Sequence, residues 1–533
     1  MRLGEKWRAA LAALAWAVGP VVLAQVPAAR QSLPSLGVLS GPLGIVLLVL
    51  GASVAIVRLA DRPLRVPDPG AWPLFLLGAA VFLGVGLHYG SGLRVSGDEP
   101  HYLMMARSLW REGDLDLRDN FAREDWREDT PGPVAPHYGA PRADGRPYPA
   151  HSPGLPFLLA PLYAWGGRLA CIVALALAAA LLCVQVRGLA LRAAGDPAAA
   201  LLAWAAAAGP PVLFYAFHVY TEVPSALALL GSLTLLVSAP GPLLAAAAGL
   251  LASLLPWLHV KMIPAAGALA VVALLHLGRR ALLAFFGVVT VMAIGYAAYG
   301  HAVFGTWSPL ARYGGMPADA SSGSPPRAIL GLLFDRSFGL LPYAPIYLLA
   351  VAGLCSRAWW KSRDAASQVL VGLAVVGPVL FWRMWWGGQC PPARFLVPVV
   401  PLLCAAIAVR AAAPPRGLLR WRFALLGLGA ALGLFMAARP GELMLLNRGD
   451  RPTRVWEALS GEVPVGRYLP SLVHPDPVEL RVAIVWMAAL TLLIVLDRLA
   501  VTRDRIDSWF RGLALPVLLL LGVGALVDFW ARR

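Results

Sequence analysis

The segment Gly97-Asp98-Glu99-Pro100-His101-Tyr102 places two carboxylates side by side, next to a histidine and a tyrosine. Gly97 permits a turn, Asp98 and Glu99 stand where a helix would start, and Pro100 suits its first turn. Tyr102, Met105, Ala106 and Leu109 follow at helical spacing, with Gly113 as a stop. One carboxylate of such a pair can take a proton from an attacking hydroxyl while its neighbour holds a cation. The same acids also suit the positive end of a helix as plain caps. Four further groups carry chemistry. His137 and His151 could ligate a divalent metal with a nearby carboxylate such as Glu99, although no ligand spacing supports a site and each reads more readily as a hydrogen-bonded loop histidine. Glu222 and Lys261 stand at the ends of apolar blocks, where charge is costly unless useful; Lys261 also suits snorkelling to headgroups. Arg394 follows Gly387-Gly388 and can grip phosphate oxygens in pairs. Trp382, Trp385 and Trp386 suit an interfacial aromatic belt or, alternatively, sugar stacking.

The elements that must position these groups are apolar. Of 533 residues, 59% are hydrophobic and 14% charged, with a mean hydropathy of +0.68. Soluble domains carry roughly 25% charged residues, so no large soluble body is expected. Apolar blocks near 20 residues match the hydrocarbon core and must be helical, because lipid cannot satisfy open backbone groups. The spacing predicts spans near 9–27, 36–57, 71–89, 167–186, 198–216, 224–238, 242–257, 262–277, 281–300, 338–355, 367–382, 395–412, 423–438, 481–497 and 513–530. The fold class is therefore all-α, a polytopic transmembrane bundle of about 13 to 15 spans. Arg2, Lys6 and Arg8 before the first block read as the start of an uncleaved first helix. The five cysteines form no metal or disulfide framework.

The net charge of +16 comes mostly from arginine. With the N-terminus in the cytoplasm, inside loops carry Arg58, Arg62, Arg65, Arg187, Arg192, Arg279, Arg280, Arg357, Lys361, Arg363, Arg410, Arg416, Arg420, Arg422, Arg498, Arg503, Arg505 and Arg511. Short outside loops carry only Arg30, Lys261, Arg383 and Arg394. This is the positive-inside pattern; it accounts for the basic charge without nucleic acid and sets the orientation of the chain in the membrane. Arg532 and Arg533 run against it. Three long segments, 91–153, 301–337 and 439–480, fall outside. The helix after Asp98 should then lie along the membrane surface. A core over 1–410 and a C-terminal membrane region over 411–533 are the expected divisions.

The run Gly97-Asp98-Glu99-Pro100-His101-Tyr102-Leu103 resembles the first outside loop of bacterial GT-C glycosyltransferases, the relatives of protein O-mannosyltransferases and the lipid A aminoarabinose transferase. Further likenesses follow in order: His151-Ser152-Pro153-Gly154-Leu155-Pro156, Tyr220-Thr221-Glu222-Val223-Pro224, the stretch from Asp335 to Pro345, and Trp385-Trp386-Gly387-Gly388 before Arg394-Phe395. The chain departs from the family in having an extra early span, a proline after the acidic pair, and Pro392-Ala393 before Arg394. The resemblance implies a GT-C type bundle with juxtamembrane helices in its outside loops. It implies an enzyme in the cytoplasmic membrane of a bacterial cell that moves a sugar from a polyprenyl-phosphate carrier to a glycan, lipid or protein acceptor on the extracytoplasmic face. Asp98 would be the base, with Glu99 and Glu222 in support. Arg394 and Lys261 would bind donor phosphate, His101, Tyr102, His151 and Trp386 would contact substrate, and a divalent metal on Glu99 and His151 is the one cofactor implied. The alternatives are a transporter or flippase of lipid-linked material, whose charges would sit at the bilayer midplane, and a non-catalytic envelope assembly protein.

Overall fold

The computed structural model describes residues 3–59, 68–92, 95, 97–130, 132–139, 145, 148–310, 322–444 and 453–531. The main helices are α1 (Leu3–Gln25), α2 (Pro42–Leu59), α3 (Ala71–Ser91), α4 (Glu99–Arg111), α5 (Gly154–Ala194), α6 (Pro197–Ala208), α7 (Glu222–Val237), α8 (Pro242–Leu258) and α9 (Ile263–His276). They continue as α10 (Arg279–Phe304), α11 (Pro325–Phe334), α12 (Leu348–Leu354), α13 (Ala365–Phe381), α14 (Val400–Ala411), α15 (Arg422–Ala438), α16 (Pro477–Thr502) and α17 (Ala514–Ala531). Among the described residues the only β pairing is an isolated antiparallel bridge between Tyr138 and Pro149.

Among the described residues, seven helices are long and apolar enough to cross a membrane, or up to nine when two bent pairs are counted, and seven shorter apolar helices accompany them. Each expected apolar block contains a helix, but several are interrupted for local reasons. Gly209-Pro210-Pro211 ends α6, because proline cannot donate to the helical ladder. The 41-residue α5 is broken at Gly166 and Gly167. The block expected over 338–355 shortens to a 3-10 turn at Pro345–Tyr347 followed by α12. Upstream of it, the Asp335 carboxylate accepts from the backbone N–H groups of Ser337, Phe338 and Leu472 at 2.8, 3.0 and 2.6 Å, which holds a turn instead of a helix.

The core is made of close-packed small residues. α5 packs on α3, α6 and α14, and Ala176, Ala179, Ala180, Ala405, Ala406 and Ala408 are fully buried. Small side chains let helix backbones approach where lipid supplies no hydrophobic drive. Leu275, Leu283, Val291 and Leu373 point outward, as a lipid-facing surface requires.

Segments expected on the same side of the membrane meet in space. Arg187 pairs with Asp68, Arg192 with Asp364, Arg410 with Asp497 and Arg420 with Asp507. At the opposite end, Arg336 meets Glu479 at 3.2 Å, and Asp528 near the end of α17 accepts from Ser35 N–H and Tyr468 Oη, each at 3.0 Å. The last helix thus ends beside segments expected outside, as alternation demands; Arg62, Arg65, Arg532 and Arg533 lie outside the described residues.

One expectation changes. α4 starts and stops where the sequence indicates, with Gly113 donating back to Ser108 O at 3.0 Å. It does not lie on a lipid surface: every residue from Glu99 to Ser108 is buried. α5 covers one flank, and Leu115, Leu117 and Trp126 of the same loop cover another.

Candidate functional site

Four chain segments deliver the charged groups. Gly97, at φ +51°, turns the chain into α4 and places Asp98 at its N-cap. A Cβ at Gly97 would lie 2.3 Å from Tyr220 Oη and 2.5 Å from Gln389 O, so only glycine fits. Glu222 opens α7, and Lys261 lies in the 3-10 turn Val260–Met262 that joins α8 to α9. Arg394 opens the 3-10 segment Arg394–Val399 leading into α14.

These segments converge on one guanidinium. Arg394 donates from Nη2 to Asp98 Oδ2 at 2.6 Å, from Nε to Glu222 Oε1 at 2.8 Å, and from Nη1 to Gly387 O at 2.8 Å. Lys261 Nζ donates to the same Glu222 oxygen at 3.2 Å and sits 3.9 Å from the Phe395 ring centroid. Tyr220 lies under the guanidinium at 4.4 Å. Glu222, Lys261 and Arg394 are buried, whereas the Asp98 side chain keeps 26% of its surface open. The set is thus a neutral double pair with one carboxylate reachable from outside. Burial alone would push the Asp98 carboxyl up, but the adjacent Arg394 charge outweighs it and holds the group well below the usual carboxylate range. Asp98 accepts no bond from its own helix N–H groups, so the acid is not a cap.

The acidic pair divides. Successive helix residues point about 100° apart. Glu99, fully buried, accepts from Tyr89 Oη at 2.5 Å and lies 3.6 Å from Arg168 Nε. Arg168 also donates to Gly92 O at 3.0 Å and stacks over Tyr89 at 4.9 Å. Glu99 was expected to share a metal with His151, and the structure turns it to Tyr89 and Arg168 instead. Neither partner was singled out from sequence, although an arginine inside the expected span 167–186 was a readable signal that something pairs with it.

His151 joins different partners. His101 on α4, His137 and His151 bring their ring nitrogens within 4.8 Å of one another, and His137 Nδ1 lies 3.1 Å from His151 Nε2. The His101 and His151 rings stack at 5.1 Å, with Tyr102 at 5.0 Å from His151. Burial pushes His101 down to about 4 and His151 to about 3, so both rings are neutral at neutral pH. The charge of Asp98 acts on both, which places the trio beside the Arg394 cluster. Trp386 is half-buried, and its ring meets Trp385 at 5.8 Å and His474 at 6.3 Å, outside both groups.

No protein-family model matches the chain, and no curated protein matches it in sequence. Solved structures do. The chain is similar to ArnT from Cupriavidus metallidurans bound to undecaprenyl phosphate, with TM-score 0.48 and 17% identity over 86% of this chain and 77% of that one. The apo state of the same protein gives 0.46 and 15% over 86% and 78%. The oligosaccharyltransferase of Archaeoglobus fulgidus in the apo form gives 0.39 and 13% over 75% and 57%. Each TM-score lies below 0.5, so the chemistry of the site is taken from its own side chains.

Proposed function

We propose that the chain is an integral membrane glycosyltransferase that moves a sugar from a polyprenyl-phosphate carrier to the hydroxyl of an extracytoplasmic glycan, lipid or protein, with inversion. The observation that carries this reading is the convergence of Asp98, Glu222, Lys261 and Arg394 from four distant segments into one charged cluster with a single reachable carboxylate. A buried set of charges is a poor source of stability, because desolvation offsets most of the attraction. Its use is better sought in binding an anion and moving a proton.

Arg394 spends three of its five N–H donors on Asp98, Glu222 and Gly387, leaving two for phosphate oxygens. Lys261 adds a compact cation beside it. Trp257 and Ile263 flank the Lys261 turn in sequence and line an apolar groove with Pro256, Val289 and Met292, a shape suited to a lipid chain whose phosphate reaches Lys261. Donor phosphate on Arg394 draws positive charge away from Asp98 and restores its basicity. The acceptor oxygen then attacks the anomeric carbon, its proton passes to Asp98, and the carbon–oxygen bond to phosphate breaks as Arg394 and Lys261 take up the developing charge. Glu222 holds both cations in register. The arginine bias of the loops supports an extracytoplasmic face for this chemistry.

The test is to incubate membranes holding the wild-type protein or Asp98→Asn with a panel of radiolabelled polyprenyl-phosphate sugars. One sugar should label an acceptor in the wild type, and the variant should insert normally yet transfer nothing. Transfer by Asp98→Asn at the wild-type rate would remove the base, and no labelling from any donor would remove the reaction.

A further inference from the structure

The Asp98 cluster leaves the three histidines beside it without a task. His101 stands in the first turns of α4, His137 in the middle of the outside loop, and His151 just before α5. The isolated bridge between Tyr138 and Pro149 joins the segments of the last two: Gly139 N–H donates to Tyr148 O at 2.7 Å, and Ala150 N–H to His137 O at 3.1 Å. This pairing faces His137 with Ala150 and brings the His151 ring to the His137 ring at 3.1 Å, and α4 brings His101 against them. Among the described residues, the one hydrogen bond recorded for any of the three rings is the contact between His137 and His151. Among the described residues no carboxylate, backbone carbonyl or hydroxyl takes a ring proton from them. Three imidazoles that converge on each other, and not on ordinary acceptors, are arranged as ligands.

We infer that His101, His137 and His151 form a site for one divalent transition-metal ion, of the zinc type. Zinc–nitrogen bonds near 2.0–2.1 Å in a tetrahedron hold nitrogens about 3.3 Å apart. His137 and His151 already stand at 3.1 Å, and all three ligand atoms lie within 4.8 Å, so rotation of one ring closes the set. Neutral imidazole selects zinc and its neighbours over magnesium or calcium, which require oxygen ligands. Three protein ligands leave a fourth position for water or a substrate oxygen. The site uses none of the groups assigned to proton transfer or phosphate binding, and its existence does not depend on the glycosyltransferase reading.

Full-length protein in detergent micelles, stripped with a chelator and dialysed, is titrated with Zn(II) by calorimetry and with Co(II) by visible absorption. One equivalent should bind in the micromolar range or tighter, and Co(II) should give the d–d bands of a four-coordinate site. His137→Ala, at an exposed position whose loss leaves the fold intact, should weaken binding by at least ~100-fold, as removal of one ligand in three requires. Asp98→Asn should leave one equivalent bound. Binding that survives in His137→Ala at wild-type affinity, binding abolished by Asp98→Asn, or a wild type that takes up no stoichiometric ion would each overturn the inference. None of these readouts is sugar transfer, so a failure here and a failure of the proposed function are separately visible.

Discussion

Arg394 Nη2 donates to Asp98 Oδ2 at 2.6 Å, although 296 residues separate the two along the chain. The same guanidinium holds Glu222 through Nε, so one planar fork ties the N-terminal ends of α4 and α7 to the segment that leads into α14. A lysine at this position would keep the charge but could not reach both carboxylates and Gly387 O in one geometry. Arg394→Lys should therefore insert and fold, since Glu222 keeps Lys261, yet lose transfer by at least ~100-fold, with a raised KM for donor. Arg394→Ala leaves buried Glu222 with half its counter-charge and should destabilise by about 3–5 kcal/mol. Thermal unfolding in detergent and a transfer assay separate the two. Wild-type turnover in Arg394→Lys would refute the role of the fork.

Adjacent glycines give a matched pair of variants. Gly387 and Gly388 have φ +90° and +81°, so alanine at either carries a similar backbone penalty of about 1–2 kcal/mol. Their surroundings differ. A Cβ at Gly387 would lie 2.9 Å from Arg394 Cδ, whereas at Gly388 the nearest atom is Met384 Sδ at 3.7 Å. Gly387→Ala should raise the donor KM roughly tenfold more than Gly388→Ala, equivalent to ~1.4 kcal/mol, at comparable unfolding temperatures. Equal donor KM in the two variants would show that Arg394 is not positioned by this turn.

Much of this arrangement was legible in the sequence, for a physical reason. Charges at the ends of apolar blocks are costly, so Asp98, Glu222, Lys261 and Arg394 announced themselves singly, and the arginine bias put them on one side. What could not be read was direction. Asp98 and Glu99 are neighbours, but whether one meets Arg394 and the other Tyr89 and Arg168 depends on which helices pack against α4. The burial of α4 itself was hidden because the residues that cover it, such as Trp126, lie in a polar stretch with no periodicity. His137 joins His101 and His151 through a turn and an isolated bridge, not through a ligand spacing, so the sequence showed three separate histidines. The block at 338–355 was apolar enough to span, but Pro342, Pro345 and the Asp335 turn shorten its helix.

Glu99 is predicted to support the fold more than the chemistry. Its carboxylate is fully buried against Tyr89 and Arg168. Glu99→Ala should cost about 3–5 kcal/mol, since it leaves Arg168 buried with a charge partner removed. A double variant that also replaces Arg168 with methionine should be less destabilised than the sum of the two single changes. Chemical unfolding in micelles measures all three. Strict additivity would mean that the pair does not interact, and a Glu99→Ala protein of normal stability but no transfer would move Glu99 into the reaction.

Asp129 gives a prediction in pH. It is buried in the loop between α4 and α5, where Tyr163 Oη donates to it at 3.0 Å. Burial pushes its carboxyl up from 3.8 to about 6, with the Tyr163 bond and Arg168 opposing only in part. Between these values the folded chain keeps a proton that the unfolded chain has lost. The unfolded state binds fewer protons there, so stability falls as pH rises through about 4 to 6 and stays lowered above that. The gap is worth about 3 kcal/mol at neutral pH. Asparagine at this position still accepts the Tyr163 bond and has nothing to titrate. Asp129→Asn should match the wild type near pH 4 and exceed it by up to about 3 kcal/mol above pH 7. Unfolding of both proteins in the same detergent from pH 4 to 8 decides the matter: a difference that does not change with pH would mean that Asp129 is ionised throughout in the folded protein.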